Sequence, residues 1–137
     1  MYKRSPIGIG PESTRFNQGA ETAVNPGAPY YILRPEAVET LYILNQITGD
    51  PIYREWGWEM WQAVVKYTKA PYGHGHIHNV ADTSARPDDN EESFWFGETL
   101  KYYYLLFNDE KLVDLNKKVF NTECHPLTVI NTNGETF

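Results

Sequence analysis

Long apolar runs are scarce in this chain of 137 residues. The longest unbroken one, Tyr102 to Phe107, is far shorter than the roughly 18 residues a membrane-spanning helix needs. Cysteine is almost absent: one residue cannot form an internal disulfide, so cysteine usage does not identify a compartment. The N-terminus has no cationic start followed by an apolar core, and no signal peptide is expected from it. Basic residues are outnumbered, 12 against 18 acidic, for a net charge of -6. That balance argues against nucleic acid or an anionic membrane as the main partner. Aromatic residues, by contrast, are plentiful: four Trp, ten Tyr and six Phe, too many for a disordered chain. The length is about one domain, enough to bury roughly 70% of the unfolded surface if it closes on itself. An acidic chain rich in tyrosine and tryptophan suits carbohydrate or cation binding.

Residues 1–33 read as a loop, punctuated by Gly8, Gly10, Pro11, Gly19, Pro26, Gly27 and Pro29 and without sustained periodicity. Pro35 suits a helix start, where its missing N–H has no intrahelical partner to lose. Val38, Leu41, Tyr42 and Leu44 follow at helical spacing, and Gly49-Asp50-Pro51 is a strong stop. A second helix is predicted from Pro51 to Lys69, with a stripe of Ile52, Trp56, Met60, Val64 and Tyr67. A third is predicted over Glu92 to Phe107, and a short fourth over Leu112 to Lys118. The tail from Phe120 reads as strand or loop. The expected class is mostly α.

Several side-chain groups could carry chemistry. Glu36 falls in the first turn of the first helix, where free N–H groups and the macrodipole favour an ionised carboxylate able to act as a base. Glu39 lies on the same helix face. Glu91, Glu92, Phe94, Trp95, Phe96 and Glu98 put carboxylates beside flat rings, matching the hydroxyls and apolar C–H faces of a sugar. In Asn121-Thr122-Glu123, a threonine offers hydroxyl and carbonyl oxygens, hard donors suited to Ca²⁺. Each group also has an ordinary explanation taken alone: a decorated helix start, a core-facing aromatic stripe, a threonine-stabilised turn. His74, His76 and His78 would share one face of a strand and could chelate a transition metal, although the intervening glycines favour an irregular loop. Cys124 beside His125 reads as an idle or buried thiol rather than a nucleophile, since catalytic partners meet in space rather than along the chain.

The order and wording of the motifs are more specific than any one of them. Leu33-Arg34-Pro35-Glu36-Ala37-Val38-Glu39-Thr40-Leu41, Thr48-Gly49-Asp50-Pro51 and Trp56-Gly57-Trp58-Glu59 resemble the C-terminal part of glycoside hydrolase family 47. So do Glu92-Ser93-Phe94, Gly97-Glu98-Thr99-Leu100-Lys101-Tyr102 and Asn121-Thr122-Glu123 with His125-Pro126. Gly8-Ile9-Gly10-Pro11-Glu12 is similar to the loop that precedes this region in fungal members. The family comprises the class I α-1,2-mannosidases, which trim high-mannose N-glycans. The resemblance implies the C-terminal section of an (α/α)7 barrel with a short C-terminal β segment. Residues 1–33 would lead into the barrel, and residues 34–137 would be an incomplete catalytic domain.

The resemblance further implies inverting, Ca²⁺-dependent hydrolysis of terminal α-1,2-linked mannose. Glu36 matches the general base, Arg34 a substrate-site arginine, and Phe94 the ring beneath the sugar. Thr122 matches the calcium ligand; Glu39, Glu98 and Glu123 match carboxylates that hold calcium-bound water or sugar hydroxyls. The implied partners are a high-mannose N-glycan and the missing N-terminal part of the barrel, with no nucleic acid and no membrane contact from this segment. The implied location is the lumen of the endoplasmic reticulum or Golgi, or outside the cell. No segment matches the family's general acid, and Cys124 replaces a usual alanine. Two other readings follow: an inactive truncated fragment, or a mannosidase-like glycan-binding protein of glycoprotein quality control. The wording of the Gly97-Glu98-Thr99 and Asn121-Thr122-Glu123 motifs favours the processing enzymes.

Overall fold

A computed structural model describes residues 2–16, 22–130 and 134–136. The parts of the loop and tail readings that fall on residues 1, 17–21, 131–133 and 137 lie outside the described residues. Helices make up most of the regular structure, and the chain divides into two compact units. The first unit combines Met1–Arg34 with Trp58–Glu92; the second combines Pro35–Gly57 with Ser93–Phe137.

In the first unit, the segment expected to be loop contains a short antiparallel pair, β1 (Thr14–Phe16) and β2 (Thr22–Val24), in the register Thr14↔Val24. Its residues favour strands but are too few for periodicity to reveal them. Tyr31 and Ile77 exchange backbone hydrogen bonds of 2.8 and 2.9 Å, and the Ser5 hydroxyl donates to the Val80 carbonyl. Ile7, Ile9, Tyr31, Leu33, Ile77 and Val80 are buried in this unit, as are Met60 and Val64 of helix α2 (Ile52–Thr68). Met60, Val64 and buried Thr68 step by four along that helix, so one stripe faces the core.

The histidine loop is tied down by the acidic stretch that follows it. The N–H of His74 donates to Glu91 (2.8 Å) and that of His76 to Asp88 (3.0 Å), while the Asp88 N–H returns a bond to the His76 carbonyl. The His78 ring lies 3.3 Å from an Asp88 oxygen. His76 is buried; its Nε2 is 3.2 Å from Glu92 but out of line, leaving that nitrogen without a hydrogen bond. Among the described residues, no group of three or more His, Cys, Asp or Glu could hold a metal ion, so the chelating arrangement is not formed. His74 faces Thr68 instead, with Nδ1 at 2.8 Å from the hydroxyl oxygen. That hydroxyl spends its proton on the Val64 carbonyl, so it accepts from His74 and selects the tautomer protonated at Nδ1.

In the second unit, helix α1 (Glu36–Thr48) begins one residue later than predicted, with Pro35 at the cap. It ends at Gly49, whose left-handed φ of 71° lets its N–H reach the Asn45 carbonyl. The Asp50 carboxylate then accepts the N–H of Ile52 and starts α2. The predicted third helix is a π-helical segment, Trp95–Thr99, continuing into α3 (Leu100–Phe107). The wide turn is explicit in the Leu100 N–H, which bonds the carbonyl five residues back, on Trp95. Arg54 closes the far end of α3 by donating to the Phe107 carbonyl (2.9 Å) and the Asp109 carboxylate (3.1 Å), a cation at a helix C-terminus.

The fourth helix predicted over Leu112 to Lys118 does not form. The Asp114 side chain accepts from the backbone N–H and side-chain amide of Asn116, and its carbonyl accepts from Lys117 and Lys118. This local turn outcompetes the helix and delivers the chain into β3 (Lys118–Phe120). Strand β3 pairs antiparallel with β4 (Pro126–Thr128) in the register Lys118↔Thr128, the short C-terminal β segment. Helix α1 packs against α3, and the rings of Tyr42, Tyr102 and Phe120 meet with centroids 6.0, 6.0 and 5.7 Å apart.

Two outcomes are expected in the first unit. A Cβ at Gly75 would run into the Asp88 carbonyl oxygen, which is backbone and cannot swing aside. Gly75→Ala should therefore cost about 2 kcal/mol or more in chemical denaturation; an unchanged midpoint would contradict the packing. Burial first, and Lys69 second, lower the His74 pKa, with Glu91 opposing them. The fold thus binds the neutral ring, and its contribution to stability is complete above the ordinary histidine value of about 6.5 and declines as the pH falls below it. Imidazole titration by NMR should place His74 below about 6.5; a midpoint at or above that value would contradict the burial.

Candidate functional site

Six of the seven residues singled out from the sequence lie in the second unit: Glu36, Glu39, Phe94, Glu98, Thr122 and Glu123. Arg34 belongs to the first, where its Nε donates to both oxygens of Glu12 at 2.8 Å. Glu36 is exposed in the opening turn of α1, and its carbonyl accepts from the Thr40 hydroxyl. Glu39, one turn on, is half-buried, and its carboxylate accepts a 2.9 Å hydrogen bond from the Tyr102 hydroxyl. Phe94, also half-buried, precedes the π-helical segment. Glu98 lies within that segment and is only 8% exposed, an unusual environment for a carboxylate.

Thr122 and Glu123 are exposed in the turn that joins β3 to β4. Asn121 builds this turn. Its side-chain oxygen accepts from the N–H groups of Glu123 (3.1 Å) and His125 (2.8 Å), and its backbone bonds the His125 carbonyl. With the turn organised by its neighbour, Thr122 is left over: among the described residues, no hydrogen bond engages its hydroxyl or its carbonyl. Two hard oxygens on one exposed residue fit a Ca²⁺ ligand.

Cys124 closes the turn, fully buried and in a left-handed conformation at φ 58°, rare for a residue other than glycine. Burial pushes its thiol pKa up, helped by the nearby charges of Glu39 and Glu98; Tyr102 and Lys101 pull the other way. The thiol is therefore held protonated and inaccessible while His125 is exposed, so no Cys–His nucleophile is assembled. The Tyr102 hydroxyl is likewise kept protonated, first by burial and then by its bonds to Glu39 and Cys124. Lys101 donates from Nζ to the Cys124 carbonyl at 2.6 Å.

Tyr102 thus ties Glu39 of α1 to α3, where the adjacent Lys101 holds the Cys124 carbonyl of the Thr122 turn, and the charges of Glu39 and Glu98 both raise the Cys124 thiol pKa, although 85 positions separate Glu39 from Cys124 in the sequence. Asn121, Lys101 and Tyr102 were not singled out as functional from the sequence. Asn121 carried a signal, since asparagine bonds backbone two residues on. Lys101 and Tyr102 carried none beyond membership of a motif.

The family model described as glycosyl hydrolase family 47 matches residues 1–129. The mannosyl-oligosaccharide 1,2-alpha-mannosidase IC of Homo sapiens is 46% identical over 129 residues, 93% of this chain and 20% of that protein. The mannosyl-oligosaccharide alpha-1,2-mannosidase IA of Drosophila melanogaster is 42% identical over 134 residues, 97% of this chain and 20% of that protein. The solved structure of an alpha-1,2-mannosidase from Trichoderma reesei superposes with a TM-score of 0.82 at 34% identity, covering 93% of this chain and 31% of that one. The chain therefore spans about a fifth of the length of these curated relatives. With nearly its whole length matched by the family model, and with helices that superpose on a solved member, this chain belongs to glycosyl hydrolase family 47.

Proposed function

We propose that this chain supplies one part of the active site of an inverting, Ca²⁺-dependent α-1,2-mannosidase that removes terminal mannose from high-mannose N-glycans. The observation that carries this reading is the linkage of Glu39 to the Thr122 turn through Tyr102 and Lys101, with both Thr122 oxygens left without hydrogen bonds among the described residues. In it, residues 34–137 form the closing section of an (α/α)7 barrel, residues 1–33 lead into it, and the rest of the barrel carries the general acid. The relatives named above as mannosyl-oligosaccharide mannosidases support the substrate class. The endoplasmic reticulum mannosyl-oligosaccharide 1,2-alpha-mannosidase of Homo sapiens, 42% identical, supports a place in the secretory pathway. No helix among the described residues is long and apolar enough to cross a membrane.

In this reading each residue has a role. Glu36, at an exposed helix start, takes the proton from water as the water oxygen attacks the anomeric carbon. An inverting enzyme keeps its acid and base roughly 6.5–9.5 Å apart to admit that water. Phe94 offers an apolar face to the sugar ring. Arg34 is already engaged with a carboxylate and orients acidic groups near the substrate. Thr122 would hold the calcium through its hydroxyl and carbonyl, with Glu39, Glu98 and Glu123 holding calcium-bound water or sugar hydroxyls. The ion would supply orientation and polarisation of hydroxyl oxygens.

Two measurements test the proposal. Calorimetric titration of the chain with Ca²⁺ should show binding that Thr122→Ala removes and Glu36→Gln leaves intact; equal binding by Thr122→Ala would overturn the ligand assignment. Co-expression with the upstream portion of a homologous barrel should yield hydrolysis of α-1,2-mannobiose that is abolished by chelation. Glu36→Gln should lower kcat by about 10²–10⁴-fold. Unchanged turnover in Glu36→Gln would remove it as the base; glycan binding without turnover by the assembled complex would favour a lectin-like role.

A further inference from the structure

We propose that Lys101 and Tyr102 are positioning residues that hold the calcium-binding turn in register with the Glu39 carboxylate. The inference rests on the functional reading above and adds two residues that it does not use.

The geometry begins with their adjacency at the start of α3. Successive helix positions diverge by about 100°, so two neighbouring side chains can grip two different segments. Tyr102 reaches α1, donating to Glu39 at 2.9 Å. Lys101 reaches the turn, donating to the Cys124 carbonyl at 2.6 Å. The two grips meet again at Cys124, whose thiol lies beside the Tyr102 hydroxyl. Cys124 is therefore held at its carbonyl by the lysine.

The strained backbone explains why such a grip is needed. A left-handed, non-glycine residue persists only where its surroundings over-determine it. The bond from the Cys124 N–H to the Asn121 carbonyl fixes one side of that residue, and the Lys101 ammonium fixes its carbonyl. Released from Lys101, the Cys124 peptide can relax toward ordinary dihedrals and swing the turn. Thr122 would then present its hydroxyl and carbonyl in a different direction from Glu39. Tyr102 acts on the other partner: by occupying one Glu39 oxygen it fixes the plane of that carboxylate and leaves the second oxygen to face water or ligand.

A role limited to core packing makes a different prediction. Tyr102→Phe keeps the ring against Tyr42 and Phe120 and removes only the hydroxyl, while Lys101→Met keeps the aliphatic stem and removes the charge. The probe is Ca²⁺ titrated calorimetrically into the full chain, with thermal unfolding of each variant measured in the absence of the ion. The expected result is about a five- to tenfold weaker Ca²⁺ affinity in each variant, at temperatures where each is fully folded. Lys101→Arg, which retains a donor cation, should recover most of the affinity. Wild-type affinity in both Lys101→Met and Tyr102→Phe, with binding still lost in Thr122→Ala, would overturn the positioning role and leave the ligand assignment standing. Unchanged binding in Thr122→Ala would overturn both. If Tyr102→Phe fails to fold, Lys101→Met against Lys101→Arg decides alone: equal affinities for those two would overturn the inference.

Discussion

The packing of Tyr102 is the constraint on which the second unit depends. Its ring packs against both Tyr42 of α1 and Phe120 of β3, and its hydroxyl donates to Glu39. One side chain thereby joins α3 to α1 and to β3 with the turn that follows it. The ring contacts supply non-directional attraction, about 0.5–1.5 kcal/mol per aromatic pair beyond area burial. The hydroxyl supplies direction. Tyrosine suits the position because phenylalanine would fill the space without specifying which way the carboxylate turns, and a smaller polar residue would specify without filling.

Around that residue, the backbone departs from regular geometry in two places, and both adjoin residues assigned to the site. The π-helical segment carries Glu98 and follows Phe94 directly; the left-handed Cys124 follows Thr122 and Glu123. Neither departure is stabilising in itself. A π turn places one more residue in each turn than an α turn, so it re-aims the side chains on either side of it without breaking the helix. That is how Glu98 turns inward, where it is buried, while Phe96 is left outside. Irregular backbone of this kind is tolerated because the regular parts, α1, α3 and the β3–β4 pair, are held by apolar burial and the aromatic cluster.

Legibility from sequence varied with the range of the interaction that fixes each element. The ends of α1 were readable because Pro35 and Gly49 act within one turn of themselves. The second helix was readable from the Met60 and Val64 stripe. The stretch from Leu112 failed because Asp114 offers the backbone a competing turn, and helical spacing of apolar residues ignores that competition. The π-helical segment was invisible, since its residues are compatible with an ordinary helix and only tertiary packing widens the turn. The candidate site residues stood out through the motifs they belong to, whereas Tyr102 reads by periodicity as one more core aromatic. The link from Arg34 to Glu12 spans 22 positions and leaves no local trace at all.

The solitary, fully buried cysteine has a consequence for how this chain meets oxidants and electrophiles. With no second thiol, oxidative folding has nothing to join within this chain. The sulfur is also sealed by the same contacts that hold the turn. Alkylation of the native protein can proceed only during moments when the turn opens, so the reaction rate is a clock for that opening. Cys124 is thus a built-in reporter, silent while the loop between the two C-terminal strands keeps its shape.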